Sequence, residues 1–224
     1  MNNVKLLISA ISKFLCGLLF VGWLIFLPAG TLSYFGGWLF IALLFIPILI
    51  LGTVMYLRSP DLLAKRLDAK EKESTQRGVV VLSGFMFLGG FIVAGLDFRF
   101  RWSYVPAWVV AVASAVLLVS YALYAEVARE NAYLSRTIKV EAGQKIVDTG
   151  LYGIVRHPMY SVTIWMFLSI PLILGSWYAF ILFALYPFII VVRIINEEKV
   201  LVRELEGYEA YKQKVKYRLI PFIW

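Results

Sequence analysis

An all-α, polytopic transmembrane helix bundle of about six spans is the fold class this sequence predicts, and three observations predict it. Of 224 residues, 61% are hydrophobic and 16% are charged, where a soluble domain is about 45–50% apolar and about 25% charged. Mean hydropathy is +0.80. The apolar residues fall into runs near the roughly 20 residues that a helix needs to cross a bilayer, with polar segments between them. The length suits one integrated membrane domain and leaves no room for a separate soluble catalytic domain.

The elements follow in order. Residues 8–28 read as a retained first span. Their apolar run exceeds the roughly 7–15 residues of a signal peptide, and no small-x-small cleavage site follows. Lys13 near its start can snorkel to the interface. The second span is 36–57. The charged loop Arg58–Arg77 comes next, and Leu62, Leu63 and Leu67 form one helical stripe in it, as in an interfacial amphipathic helix. Spans three and four are 79–96 and 106–126. The last two, 159–174 and 177–195, are short and separated only by Gly175-Ser176. Too little chain lies there for an external loop, so a tight helical hairpin is expected, with Pro171 and Pro187 kinking its arms. The tail beyond Glu198 continues as an amphipathic segment, broken at Gly207, with Val200, Leu201, Leu205, Tyr208 and Tyr211 able to cover one end of the bundle.

Charge sets the expected orientation. Lys and Arg number two near the N-terminus (Lys5 and Lys13), six in 58–77, five in 129–156 and seven from Arg193 onward; the alternate loops hold only Arg99 and Arg101. The positive-inside bias then puts both termini on the cytoplasmic side of a multi-pass protein, in a bacterial inner membrane or the endoplasmic reticulum. It also accounts for the net charge of +8 without a nucleic-acid partner. Trp23, Trp38, Trp102, Trp108 and Trp177 lie near span ends, as an interfacial belt requires. One cysteine, Cys16, and one histidine, His157, provide neither a disulfide nor a Cys/His metal cluster.

Two polar clusters flank the hairpin, so both emerge on the same side of the membrane. The first is Gly150 to Tyr160, GLYGIVRHPMY. Pro158 suits a first helical turn. The helix start presents amide N–H groups to an anion, with Arg156 and His157 just ahead. A basic anchor before a membrane helix would look the same, but Tyr152 and Tyr160 add aromatic faces suited to a nucleobase or a cation. The second cluster is Arg193, Glu197 and Glu198. Arg193 and Glu197 share a helix face. An intrahelical ion pair with Glu198 in water would explain them, yet ionisable groups at membrane depth are functional suspects. A ligand with both a carboxylate and an ammonium or sulfonium group matches the two clusters together.

Residues 131–224 resemble the isoprenylcysteine carboxyl methyltransferase family of integral membrane methyltransferases, to which phospholipid N-methyltransferases are related. The resemblance rests on G-x-Y-x-x-x-R-H-P-x-Y (Gly150 to Tyr160), the apolar hairpin, R-x-x-x-E-E (Arg193, Glu197, Glu198) and G-Y-x-x-Y (Gly207, Tyr208, Tyr211), in this order and spacing. It implies S-adenosylmethionine as methyl donor, no metal, and a lipophilic or prenylated acceptor arriving from the bilayer. It divides the domain into spans over 1–130, for acceptor access and scaffold, and a cofactor-binding core over 131–224. It implies cofactor contacts for Tyr152, His157, Pro158, Met159 and Tyr160, and a backbone edge from Gln144, Lys145, Ile146 and Val147. Glu197, with Glu198 beside it, holds the cofactor's amino end, Arg156 supports the pocket and its carboxylate, and Arg193 meets the substrate. Arg193 and Glu197 are the implied catalytic pair.

The chemistry agrees with those implications. Methyl transfer from a sulfonium is an in-line displacement that depends on alignment and exclusion of water. A carboxylate acceptor is already ionised at neutral pH, and Arg193 can orient it by paired hydrogen bonds. An amine or thiol acceptor needs a base, and Glu197 or Glu198 is the candidate. Carboxyl O-methylation is the leading expectation, with N- or S-methylation next. Two other classes stand beside it. A membrane reductase of the sterol-reductase type would bind a nicotinamide cofactor in a C-terminal bundle. A non-catalytic binding or transport protein would line a path with ionisable groups, which the span centres almost lack.

Overall fold

The computed structural model describes residues 3–67, 74–131, 133, 140 and 143–224, without the side chains of 3, 62, 65–66 and 74–77. Every regular element among them is helical. The order is α1 (Asn3–Ala29), α2 (Phe35–Arg58), α3 (Pro60–Leu67), α4 (Ser74–Phe100), α5 (Ala107–Glu130), a 3-10 turn (Gly150–Gly153), α6 (Pro158–Ile173), α7 (Trp177–Phe183), α8 (Tyr186–Glu204) and α9 (Tyr208–Lys214). Five stretches are long and apolar enough to cross a membrane: α1, α2, α4, α5 and the stretch Trp177–Glu204, which α7 and α8 form together. The shorter α6 completes the predicted set; at 1.5 Å per residue its length is about 24 Å, below the roughly 30 Å of a bilayer core.

Helices α1, α2, α4 and α5 run continuously, α1 with Pro28 next to its end and α2 through Pro47; bilayer-length helices satisfy their own backbone polar groups, and packing in the membrane tolerates a proline within them. Their outward faces stay apolar: Leu19, Trp23, Phe35, Phe85 and Trp108 are all exposed. Water would penalise such a surface and lipid does not. The predicted hairpin is present, and Ser176 closes its turn by accepting from the Ala179 amide as the N-cap of α7. Its second arm breaks between Phe183 and Tyr186, where Pro187 opens the first turn of α8. There its missing N–H leaves no bond unmade. Pro171 lies inside α6, two residues before the helix ends.

The expected interfacial helix is α3. Leu63 of its stripe is buried and Leu67 half-buried, while the Leu62 side chain and residues 68–73 lie outside the described residues. Lys13 donates to the Leu67 carbonyl at 2.7 Å. It therefore caps the last turn of α3, in the place expected for a snorkelling side chain.

One apolar core joins the spans. Ile25, Phe40, Ala94, Leu117, Ile173, Phe183 and Ile194 are at its centre. Phe87 of α4 meets Phe167 of α6 edge-on at 4.8 Å and Phe183 of α7 at 5.4 Å, and Phe167 meets Tyr186 of α8 at 4.6 Å. Such edge-to-face pairs are the preferred aromatic geometry, and they tie the hairpin to α4. At Gly95 an added Cβ would lie 2.7 Å from the Ile25 carbonyl oxygen, so the close approach of α4 to α1 requires glycine.

The end of the bundle holding the turns near 30–34, 101–106 and 174–176 is locked by Asp97, which is 1% exposed. Its carboxyl oxygens accept from the Ser103 amide at 2.7 Å, the Ser103 hydroxyl at 2.6 Å and the Ser176 hydroxyl. The Ser103 hydroxyl accepts from the Trp177 amide at 3.1 Å, and Tyr34 donates to the Leu174 carbonyl. The loop after α4 and the hairpin tip are thereby joined. Asp97→Ala strands one buried donor, from Ser176, and two half-buried ones, from Ser103, and is expected to cost about 3 kcal/mol. Asp97→Asn keeps one acceptor oxygen and should cost less. Thermal unfolding of the two detergent-purified variants checks the order.

Candidate functional site

The site lies at the other end, where α6 begins, α8 ends and the tail returns. Residues 150–153 form a 3-10 turn that puts Tyr152 against the bundle. Gly150 opens it with φ +51°, and an added Cβ would fall on the Glu130 carboxylate. That carboxylate accepts from the Leu151 amide at 3.1 Å, so glycine is required both by the backbone conformation and by the space. Asn131 donates to the Tyr152 hydroxyl at 3.1 Å, and Tyr211 donates to the Tyr152 carbonyl at 2.7 Å.

The chain then pairs with the tail. The Arg156 amide donates to the Tyr217 carbonyl and the His157 amide to the Arg218 carbonyl, both at 2.9 Å. His157 is the N-cap of α6 and Pro158 its first residue. Pro158 has no N–H, and the amides of Tyr160 and Ser161 return to the His157 carbonyl. Fewer donors face outward here than the bare helix start suggests.

Glu198 lies behind this segment, 5% exposed, and does not face water. Its Oε1 accepts from Arg156 Nε at 2.7 Å and lies 3.3 Å from His157 Nε2, and its Oε2 accepts from Arg218 Nε at 2.8 Å. Arg156 also donates through Nη1 to the carbonyls of Val215 and Lys216, at 2.7 and 2.8 Å. A second chain of bonds runs across the hairpin. Arg193 Nε donates to the Tyr160 hydroxyl at 2.8 Å, and that hydroxyl donates to Glu197 Oε2 at 2.6 Å. Tyr160 thus bridges Arg193 and Glu197 from the facing helix.

A cleft opens in front of these groups. Its walls are Gln144, Lys145, Ile146 and Val147 on one side, Tyr152, Arg156, His157, Met159 and Tyr160 on a second, and Glu197, Leu201, Leu205, Tyr208 and Tyr211 on a third, with Asn131 and Tyr133 at its edge. The strip 144–147 is held by its neighbour Asp148, which pairs with Lys214 of α9 at 2.6 Å. The hydrogen bond from Lys214 draws the Asp148 carboxyl below its usual range. Burial pushes the Tyr208 and Tyr211 phenols well above theirs; the nearby Glu198 and Glu197 act the same way on Tyr208, and Tyr152 and Glu198 on Tyr211. Both phenols stay neutral near pH 7.

Most of the candidates from the sequence therefore share one cleft. Pro158, Arg193 and Glu198 are not on its wall: Pro158 shapes the start of α6, Arg193 stands behind Tyr160, and Glu198 stands behind Arg156 and His157. Asn131, Tyr133 and Arg218 were not singled out in the sequence. Arg218 is 20 residues from Glu198 with a helix break between, so no helical spacing announces their contact. Tyr208 and Tyr211 are legible in the sequence as part of a covering face and of the motif that starts at Gly207, but not as walls of the cleft.

The arrangement can hold a zwitterionic, partly aromatic molecule. Glu197 keeps Oε1 for a cation, Nη2 of Arg156 remains for an anion, and the phenols and the strip's backbone suit a planar heterocycle. Glu198→Gln is expected to destabilise the protein by about 3 kcal/mol, because removing one partner of a buried ion cluster leaves its guanidinium groups unanswered. Arg218→Ala, whose side chain is 32% exposed, should cost about 1 kcal/mol. Melting of the two variants in one detergent compares them; equal losses would contradict the central role of Glu198.

Residues 107–207 match the phospholipid methyltransferase family. A protein of Bacillus subtilis (strain 168), YpbQ, described only as uncharacterized, is 31% identical over 96 residues, which cover 42% of this chain and 57% of that protein. The chain thus matches just over half the length of that relative. Arg156, His157, Tyr160, Arg193, Glu197 and Glu198 all fall within the matched residues 107–207. Over the stretch that carries these six residues, the chain is similar to the phospholipid methyltransferases, relatives of the family its motifs resemble.

Proposed function

We propose that this protein is an integral membrane methyltransferase that uses S-adenosylmethionine and methylates a lipophilic acceptor. The observation that carries the reading is the bridge from Arg193 through Tyr160 to Glu197, set at the wall of a cleft within a segment that matches phospholipid methyltransferases. The positive-inside bias supports placing the cleft on the cytoplasmic side, where a soluble cofactor reaches it.

The residues present fit that cofactor. Glu197 would receive its ammonium, Arg156 its carboxylate, and Tyr152, His157, Met159, Tyr160 and the 144–147 backbone its heterocycle and ribose. When bound, the cofactor supplies an activated methyl group on a sulfonium. Glu198 holds Arg156 and His157 in place, and Arg218 holds Glu198. Tyr160 fixes Glu197 on one side and Arg193 on the other, so cofactor ammonium and acceptor are located by one hydroxyl. Tyr208 and Tyr211, neutral and buried, limit water at the closed end. Water exclusion and alignment are what a displacement at a methyl carbon needs.

Carboxyl O-methylation is the leading reaction. Arg193 then pairs with an acceptor already ionised, and no base is required. The match to phospholipid methyltransferases favours a second reading, transfer to an amine. In that case Glu197 takes the proton through the Tyr160 hydroxyl.

Calorimetry on the detergent-purified protein tests the cofactor: saturable binding below millimolar concentration is expected, and a folded protein with no binding at that level overturns the reading. Glu197→Ala and His157→Ala should weaken binding by roughly ten- to a hundredfold, the value of a charge-assisted hydrogen bond. Arg193→Ala should leave cofactor binding within about threefold and lower turnover by tenfold or more. Equal loss of both would contradict its placement at the acceptor. Comparing a fatty carboxylate with an aminophospholipid as methyl acceptor decides between the two reactions.

A further inference from the structure

The end opposite the cleft, about 24 Å away along α6, holds Arg99, in the last turn of α4, and Arg101, just after it, the only Lys or Arg residues between Gln76 and Arg129 other than Arg77. Cations are depleted on this side of the bundle, so two of them two residues apart call for a reason. Both are exposed, and both line one open cavity of about 700 Å³ with Ser33, Tyr34 and Tyr104. Neither forms an ion pair among the described residues; Arg99 lies over the Phe100 ring at 5.5 Å. Asp97 lines the same cavity, but its oxygens are turned to Ser103 and Ser176. Arg101 is held at φ +55°, uncommon for a residue with a Cβ. The Asp97 lock fixes the turn on its far side.

A second cavity adjoins the first. It is an apolar groove of about 710 Å³ along α1 and α2, with Leu19, Trp23, Leu27 and Trp38 on its walls, and it shares Gly30 and Thr31 with the arginine cavity. The Arg99 guanidinium lies over Gly30, 3.5 Å from where a Cβ would stand. Positive charge thus meets apolar groove at one residue, beside exposed Trp23 and Trp38.

We propose that this end carries a phospholipid site: the phosphate of a net-negative headgroup sits between Arg99 and Arg101, and one acyl chain lies in the groove along α1 and α2. Unanswered guanidinium charge selects the anion, since arginine pairs with phosphate through two parallel N–H donors. The groove selects a lipid over a soluble phosphate. The site is independent of the methyl-transfer cleft.

Native mass spectrometry of the full chain in detergent, titrated with dioleoyl phosphatidylglycerol, dioleoyl phosphatidylcholine or glycerol phosphate, tests it. Wild type should retain phosphatidylglycerol over both others. Arg99→Gln/Arg101→Gln should bind it roughly ten- to thirtyfold more weakly, as expected for two basic residues at a membrane surface, with an unchanged melting temperature. Arg99→Lys/Arg101→Lys should recover part of the loss. Lys212→Gln/Lys216→Gln, two charges removed at the other end, should bind as wild type does. Equal retention of phosphatidylcholine, equal binding of glycerol phosphate, or the same loss from the Lys212/Lys216 variant would each overturn the proposal.

Discussion

Glu198 is a carboxylate taken out of water, and much of the functional end is arranged around that fact. A buried charge is tolerated only when paired and hydrogen-bonded. Here two guanidinium groups and an imidazole surround one carboxylate. Arg156 and His157 come from the segment before α6, Glu198 from α8 and Arg218 from the tail. The cluster therefore fastens three chain segments distant in sequence at one point. The main-chain bonds from Arg156 and His157 to Tyr217 and Arg218 run beside it and fix the direction of the tail. The cluster orients the His157 ring and, together with the carbonyls of Val215 and Lys216, the Arg156 side chain at the cleft.

The hairpin brings the second pair of groups to the same place. Because α6 and α8 run back to one end, Tyr160 and Arg193 meet across the hairpin although 33 residues separate them. A tyrosine hydroxyl both donates and accepts. Tyr160 uses both capacities, taking a hydrogen bond from Arg193 and giving one to Glu197. Cofactor-side and acceptor-side groups of the proposed site are consequently set by the same atom, and a shift of α6 against α8 would move them together. The aromatic contacts of Phe87, Phe167, Phe183 and Tyr186 resist such a shift.

The two ends of the bundle use polar groups differently. At the cleft end, charged groups are buried in a paired cluster, and the cleft opens beside them. At the other end, Asp97 consumes its hydrogen-bonding capacity inside the protein and leaves Arg99 and Arg101 outward. The hairpin is therefore closed at its tip by a serine–aspartate lock and at its base by an arginine–glutamate cluster. Between them the packing of the two arms is, among the described residues, apolar apart from one hydrogen bond, from the Tyr186 hydroxyl to the Thr163 hydroxyl at 3.2 Å, which keeps both groups satisfied in a medium that offers no partner.

What the sequence by itself determined follows from chemistry that is local along the chain. Runs of apolar residues dictate spans because the bilayer penalises anything else, and Gly175-Ser176 dictates a hairpin because no longer loop is available. The grouping of Arg156, His157, Tyr160 and Glu197 at one end follows from that hairpin and is legible through the motif spacing, while the place of Gln144 to Val147 beside them is implied by the family resemblance. Other features were decided only by the tertiary structure. Helix periodicity places Glu198 one residue round from Glu197 but cannot say that one turns into the protein and the other towards the cleft. The contact of Arg218 with Glu198, the bridging by Tyr160 and the burial of Asp97 each join residues whose separation carries no periodic signal. A buried polar side chain chooses its partner by proximity in space, and proximity between distant segments exists only after the apolar helices have packed.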